Sequence, residues 1–147
     1  MKLVMYILMN LLILLPLNKG SSRASSKIFT SDSLSIETVY HACMKYDIIF
    51  PDIVTAQSIL ETGYYSSRLC TDYNNLFGLY NSNKKTYFKF DHWEESILGY
   101  KNMVEYKFNK EKTRENYFIF LEELPYAIDE DYINKIKVLL KRHFPTD

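Results

Sequence analysis

The sequence predicts a mainly α fold of the α+β class, with helices around one core and a single small β-hairpin after the second helix. Three observations carry this expectation. Apolar residues recur at helical spacing from about residue 35 to the C-terminus, only one short stretch alternates as a strand does, and no internal repeat is present.

Each element has its own signal. Ile36, Val39, Tyr40, Cys43 and Met44 fall at i, i+3, i+4, i+7 and i+8, one apolar helical face, with Ser35 as cap and Glu37 in the first turn. Pro51 suits the first position of a second helix, and Gly63 is a natural stop for it. On that helix Ile53, Gln57, Leu60 and Glu61 share a stripe. Residues 66–71 form a short helical turn. Residues 73–80 form a loop, 81–85 a turn, and 86–90 an alternating strand with Phe88 and Phe90 on one face. Asp91-x-x-Glu94 reads as a capping box opening a helix to about Lys107, with Trp93, Ile97, Tyr100 and Val104 inward. A helix over 116–124 ends at Pro125. Asp129 caps the last one, whose Ile133, Ile136 and Leu140 face the core.

The 147 residues allow one domain plus a leader. Leu3 to Leu17 is apolar apart from Asn10 and Pro16, about the length of a signal-peptide core and short of the roughly 20 residues of a membrane span. Residues 1–24 are therefore expected to be a signal peptide, cleaved or retained as an anchor. Residues 25–34 would be a flexible lead and 35–147 the domain, placing it in the periplasm or outside the cell. Without Lys2, Lys19 and Arg23 the formal charge moves from zero to −3, which excludes the basic footprint of a nucleic-acid binder. Thirteen Tyr and nine Phe supply a core and leave rings for a wet groove that stacks on sugars. Cys43 and Cys70 could form one disulfide or remain two buried thiols. His41, His92 and His143 lack ligand spacing, so no metal or other cofactor is expected.

Chemistry concentrates at Leu60-Glu61-Thr62-Gly63-Tyr64. The stripe points Glu61 with the apolar residues, and a helix C-terminus carries about half a unit of negative charge, which disfavours an ionised acid. Apolar surroundings act the same way, so the carboxyl should hold its proton near neutrality, as a glycosidase general acid must.

Four blocks then follow in order: Ala56-Gln57-Ser58-Ile59-Leu60-Glu61-Thr62-Gly63; Asn74-Asn75-Leu76-Phe77-Gly78; Tyr87-Phe88-Lys89-Phe90 leading to Glu95, Ser96 and Tyr100; and Tyr126-Ala127-x-Asp129-x-x-Tyr132. In this arrangement the chain resembles the glucosaminidase domain of glycoside hydrolase family 73, over about residues 36 to 142, in a compact form like that of Bacteroidetes. The resemblance implies a lysozyme-like fold and a peptidoglycan endo-β-N-acetylglucosaminidase, monomeric, acting on glycan strands. Glu61 would be the general acid and Tyr126 the tyrosine lining the cleft. Asn75, Phe77 and Gly78 would shape the floor below the sugar, with Gln57, Tyr64 and Tyr87 as further contacts. Turn chemistry is the competing role for Asn74 and Asn75.

One departure matters. Many members carry a second carboxylate on the hairpin, yet no Asp or Glu lies between Gly78 and Asp91. Asp91 is the nearest candidate, set against its reading as a cap. Without a second acid, the substrate's own 2-acetamido group can attack the anomeric carbon. A muramidase or lytic transglycosylase would use the same lone Glu on the neighbouring bond, and a glycan-binding module could keep the fold without turnover.

Overall fold

A computed structural model describes residues 33–124 and 129–145. The readings made on the leader, on Pro125 and on Tyr126 lie outside the described residues. The order is α1 (Ile36–Lys45), α2 (Pro51–Thr62), α3 (Arg68–Thr71), β1 (Tyr80–Asn81), β2 (Thr86–Tyr87), α4 (Trp93–Met103), a 3₁₀ turn (Glu105–Lys107), α5 (Arg114–Glu123) and α6 (Tyr132–His143). The mainly α expectation with one antiparallel hairpin holds.

Helix α2 is the hub, packed against α1 on one side and α6 on another. Every residue from Ile53 to Ile59 is buried, polar ones included. Its hydroxyls find partners on the helix itself: Thr55 donates to the Pro51 carbonyl at 2.7 Å, Ser58 to Thr55 at 2.7 Å and Thr62 to Ser58 at 2.6 Å. Back-bonding of this kind removes most of the cost of burying a hydroxyl. Truncating Ile53 or Ile59, both essentially inaccessible, would cost about 2–5 kcal/mol through lost transfer energy and a cavity.

Pro51 opens α2 and Gly63 closes it in the left-handed conformation, its N–H on the Ile59 carbonyl. Tyr64 and Tyr65 follow with φ of 57° and 62°, so three successive residues are left-handed. Ser35 caps α1 as expected, its hydroxyl accepting from Thr38 N while Thr38 Oγ1 accepts from Ser35 N. The α1 stripe is rotated slightly from the expected one: Val39, Ala42 and Cys43 are buried, whereas Met44 is exposed. Cys43 and Cys70 are free, buried thiols, and desolvation pushes Cys43 up to about 12.

The start of α4 corrects the capping-box reading. The N-cap is His92, whose Nδ1 accepts from Glu94 N at 3.3 Å. Glu95, one position beyond the expected partner, reaches back to accept from Asp91 N at 3.1 Å. Asp91 therefore stands outside the helix with an exposed side chain. The helix also ends at Met103, and only a 3₁₀ turn continues to Lys107. The inward stripe Trp93, Ile97, Tyr100 and Val104 is buried as expected. Gly99 lies on this helix because a Cβ there would meet Leu79 Cδ1 at 2.8 Å.

Two later boundaries also move. Thr113 caps α5, so that helix starts at Arg114 rather than 116. Asp129 lies three residues before α6 and receives Tyr132 N through its backbone carbonyl instead of capping with its side chain. Ile133, Ile136 and Leu140 face the core as the periodicity requires.

Candidate active site

The second helix carries Glu61 on its last turn, one residue before Thr62 ends it, and partly exposed. Tyr132, the first residue of α6 and almost fully buried, donates its hydroxyl to Glu61 Oε1 at 3.1 Å. Burial pushes the Glu61 carboxyl up to about 8, and the Tyr132 hydroxyl opposes this only in part. At neutral pH the side chain therefore holds its proton, as its position at the dipole's negative end also requires.

Tyr132 belongs to a longer chain of contacts. Gln57 Nε2 donates to its oxygen at 3.1 Å, and Gln57 Oε1 accepts from Tyr100 at 2.7 Å. Tyr100 lies 3.1 Å from the Tyr117 hydroxyl, which is 3.4 Å from Glu105 Oε1; Ile49 N donates to the same oxygen at 2.9 Å. Burial pushes the Glu105 carboxyl up as well, against the Ile49 N–H.

Other expected contacts take different places. Gln57 is 3% exposed and spends both ends of its amide inside the core, on Tyr132 and Tyr100. Asn75 is fully buried. Its Nδ2 donates to the Leu79 and Phe88 carbonyls, and its Oδ1 accepts from Leu79 N, each at 2.9 Å, which closes the loop and ties it to the hairpin. Asn74, at φ 51°, donates to the Phe90 and Asp91 carbonyls. For both asparagines turn chemistry is the role in place. Phe77 is a core ring with its centroid 4.6 Å from that of Tyr100, and Gly78 supplies a buried left-handed bend at φ 60°. Both are buried.

The remaining aromatics keep part of their rings at the surface. Tyr64 is 49% exposed, its hydroxyl accepting from Arg142 at 2.9 Å. It forms one wall of a cavity of about 330 Å³ between the end of α2 and α6, with Leu60, Asn134, Val138 and Leu139. Tyr87 is half-buried on the hairpin, edge-on to Tyr80 at 5.2 Å. A second hollow of about 280 Å³ is lined by Tyr132, Glu122, Asp129, Glu130 and Ile133. Glu61 lines neither hollow; its carboxyl is bonded on the Tyr132 side.

Tyr132, Tyr100 and Glu105 carry parts that spacing alone did not assign. Tyr132 closes the Tyr126-Ala127 block and Tyr100 lies on an apolar stripe, but their partners lie 71 and 43 residues away. Neither a curated protein nor a solved structure matches the chain. The family model described as mannosyl-glycoprotein endo-beta-N-acetylglucosaminidase matches residues 36–144, and with Glu61 and its tyrosine support inside that span, the chain belongs to the glucosaminidase family.

Proposed function

We propose that the protein is an exported endo-β-N-acetylglucosaminidase that cleaves peptidoglycan after N-acetylglucosamine, with Glu61 as general acid. Family membership supports a glycoside hydrolase acting on a glycan. The observation that carries the finer reading is the Glu61 carboxyl, desolvated, bonded to one phenol and still protonated near pH 7. A positioned acid of this kind contributes about 10²–10⁴-fold to bond cleavage. Donation from Tyr132 to Oε1 leaves Oε2 to present the proton to the glycosidic oxygen.

The opposite face of the sugar is served by the substrate's own 2-acetamido oxygen, which attacks the anomeric carbon as the leaving group takes the Glu61 proton. Water then opens the cyclic intermediate with Glu61 as base. Asp91, outside the α4 cap, is the carboxylate nearest the hairpin in sequence that could replace this step. Residues 1–24 serve export, Tyr64 and Tyr87 contact glycan, and the enzyme works as a monomer in the periplasm or outside the cell. Mass spectrometry of peptidoglycan digested by the full chain tests the reading. Fragments with reducing N-acetylglucosamine ends are expected; reducing N-acetylmuramic acid ends, anhydro ends or binding without release would replace it.

A further inference from the structure

The buried chain behind Glu61 has a direction, and the direction bears on catalysis. A tyrosine hydroxyl has one proton to give, and a glutamine amide donates only from its nitrogen. Tyr100 gives its proton to Gln57 Oε1 at 2.7 Å, which turns Gln57 Nε2 toward Tyr132 at 3.1 Å. Tyr132, already receiving on its oxygen, gives its proton to Glu61 Oε1 at 3.1 Å. The opposite arrangement is also self-consistent. With the Gln57 amide turned over, Tyr132 would donate to Gln57, and a protonated Glu61 would give its proton to Tyr132, away from any substrate. Tyr100, Gln57 and Tyr132 come from α4, α2 and α6 and are each at most 4% exposed, so solvent does not compete for these bonds.

We infer that Tyr100 and Gln57 are positioning residues. By fixing the orientation of the Gln57 amide they aim the Tyr132 hydroxyl proton at Glu61 Oε1 and leave the acid's own proton on Oε2. This deepens the proposed function, because it says how the acid's proton is kept on the useful oxygen. Tyr117 and Glu105 form the far end: Tyr117 can donate to Tyr100 or to Glu105, and Glu105 is anchored by Ile49 N. The titratable groups along and beside the chain are Glu61, Tyr132, Tyr100, Tyr117 and Glu105, with Cys43 acting on Tyr117 from α1 and the Lys101 and Lys112 charges acting on Glu105.

A double-mutant cycle read by carbon-13 NMR titration of the Glu61 carboxyl decides the matter, because coupled positions depart from additivity. Tyr132→Phe removes a bond that favours the ionised acid, and Tyr100→Phe removes the donor that orients Gln57. Each should tighten proton binding at Glu61 about three- to tenfold, the worth of one hydrogen bond. In the Tyr132→Phe background Tyr100→Phe should add nothing. The alkaline limb of kcat/KM should move upward in step, with kcat lowered about three- to tenfold and KM unchanged. Should Tyr100→Phe fail to fold, Gln57→Met removes both the donor to Tyr132 and the competing acceptor, so the Tyr132 hydroxyl is no longer aimed and the Glu61 shift should fall between wild type and Tyr132→Phe; no shift would overturn the inference. An unchanged Glu61 titration in Tyr100→Phe, or an equal shift in both backgrounds, would overturn the inference. The function reading fails separately, through absence of soluble sugar from wild-type digests, and the titration remains decisive for positioning in that case.

Discussion

Glu61 and Glu94 are both desolvated, and they end in opposite states. Glu94, at 1% exposure on the first turn of α4, accepts from the Lys45 ammonium at 2.9 Å and the Tyr46 hydroxyl at 2.6 Å. Desolvation alone would raise it, but the bonds from Tyr46 and Lys45 outweigh that and hold it below the ordinary carboxylate range. Lys45 is raised by the same contact. Glu61 has a phenol in the corresponding place and no ion pair among the described residues, and it sits at the negative end of its helix, whereas Glu94 sits at the positive end of its own. Among the described residues, the difference between the two carboxyls thus lies less in burial than in the cation that Glu94 has and Glu61 lacks.

The sharpest way to break this contrast is Glu61→Gln. Wall hydrolysis should fall about 10²–10⁴-fold in a sugar-release assay while the fold survives. The same variant carries a stability signature with a definite sign. The folded carboxyl binds its proton up to about pH 8 and the unfolded one only to about pH 4.5, so wild-type stability falls as pH rises between them. Glu61→Gln should melt progressively higher than wild type across that window, by up to about 4 kcal/mol at pH 8. Equal melting curves at pH 5 and pH 8 would mean that Glu61 is ionised in the folded protein.

Lys45→Met asks whether Glu94 can be pushed into the condition of Glu61. Lys45 is half-exposed, so the expected loss is about 1–2 kcal/mol instead of the full cost of orphaning a buried charge. The pH dependence should reverse. Wild-type Glu94 stabilises the fold above the unfolded carboxylate pKa and loses that contribution as pH falls through the depressed folded value. In Lys45→Met the deficit should be largest at pH 8 and smallest near pH 4, measured by thermal melts.

The smallest effect is expected from Asp91→Asn. An exposed carboxylate outside the α4 cap should cost under about 0.5 kcal/mol, and substrate assistance predicts full wall hydrolysis within about threefold. A loss approaching that of Glu61→Gln would make Asp91 the second acid.

Much of the site's frame is legible in the sequence because it is local. Pro51 and Gly63 set the ends of α2, and the stripe places Glu61 among its apolar residues; both signals lie on the acid's own helix or directly after it. The α4 start is misread by one position because Asp91 and His92 can each cap, and the outcome turns on Glu95 reaching back to Asp91 N. Gln57, Asn75 and Phe77 resemble ligand contacts in sequence since their type fits either role. Gln57 and Phe77 are claimed by rings brought from α4 and α6, and Asn75 by backbone groups of its own loop and the hairpin. A one-dimensional pattern shows that a polar residue is inward; it does not show whether inward means a groove or a partner.

The left-handed run Gly63, Tyr64 and Tyr65 bears on how this acid can be kept over time. A non-glycine residue in that region gives up about 1–2 kcal/mol, and two tyrosines do so in succession directly after the acid. Their rings must return that loss, Tyr65 through its 3.1 Å contact with Ser58 and Tyr64 through Arg142. Substitutions that enlarge or swap either aromatic are therefore filtered by backbone shape before any sugar is met, and drift at this corner is confined to residues that tolerate the bend.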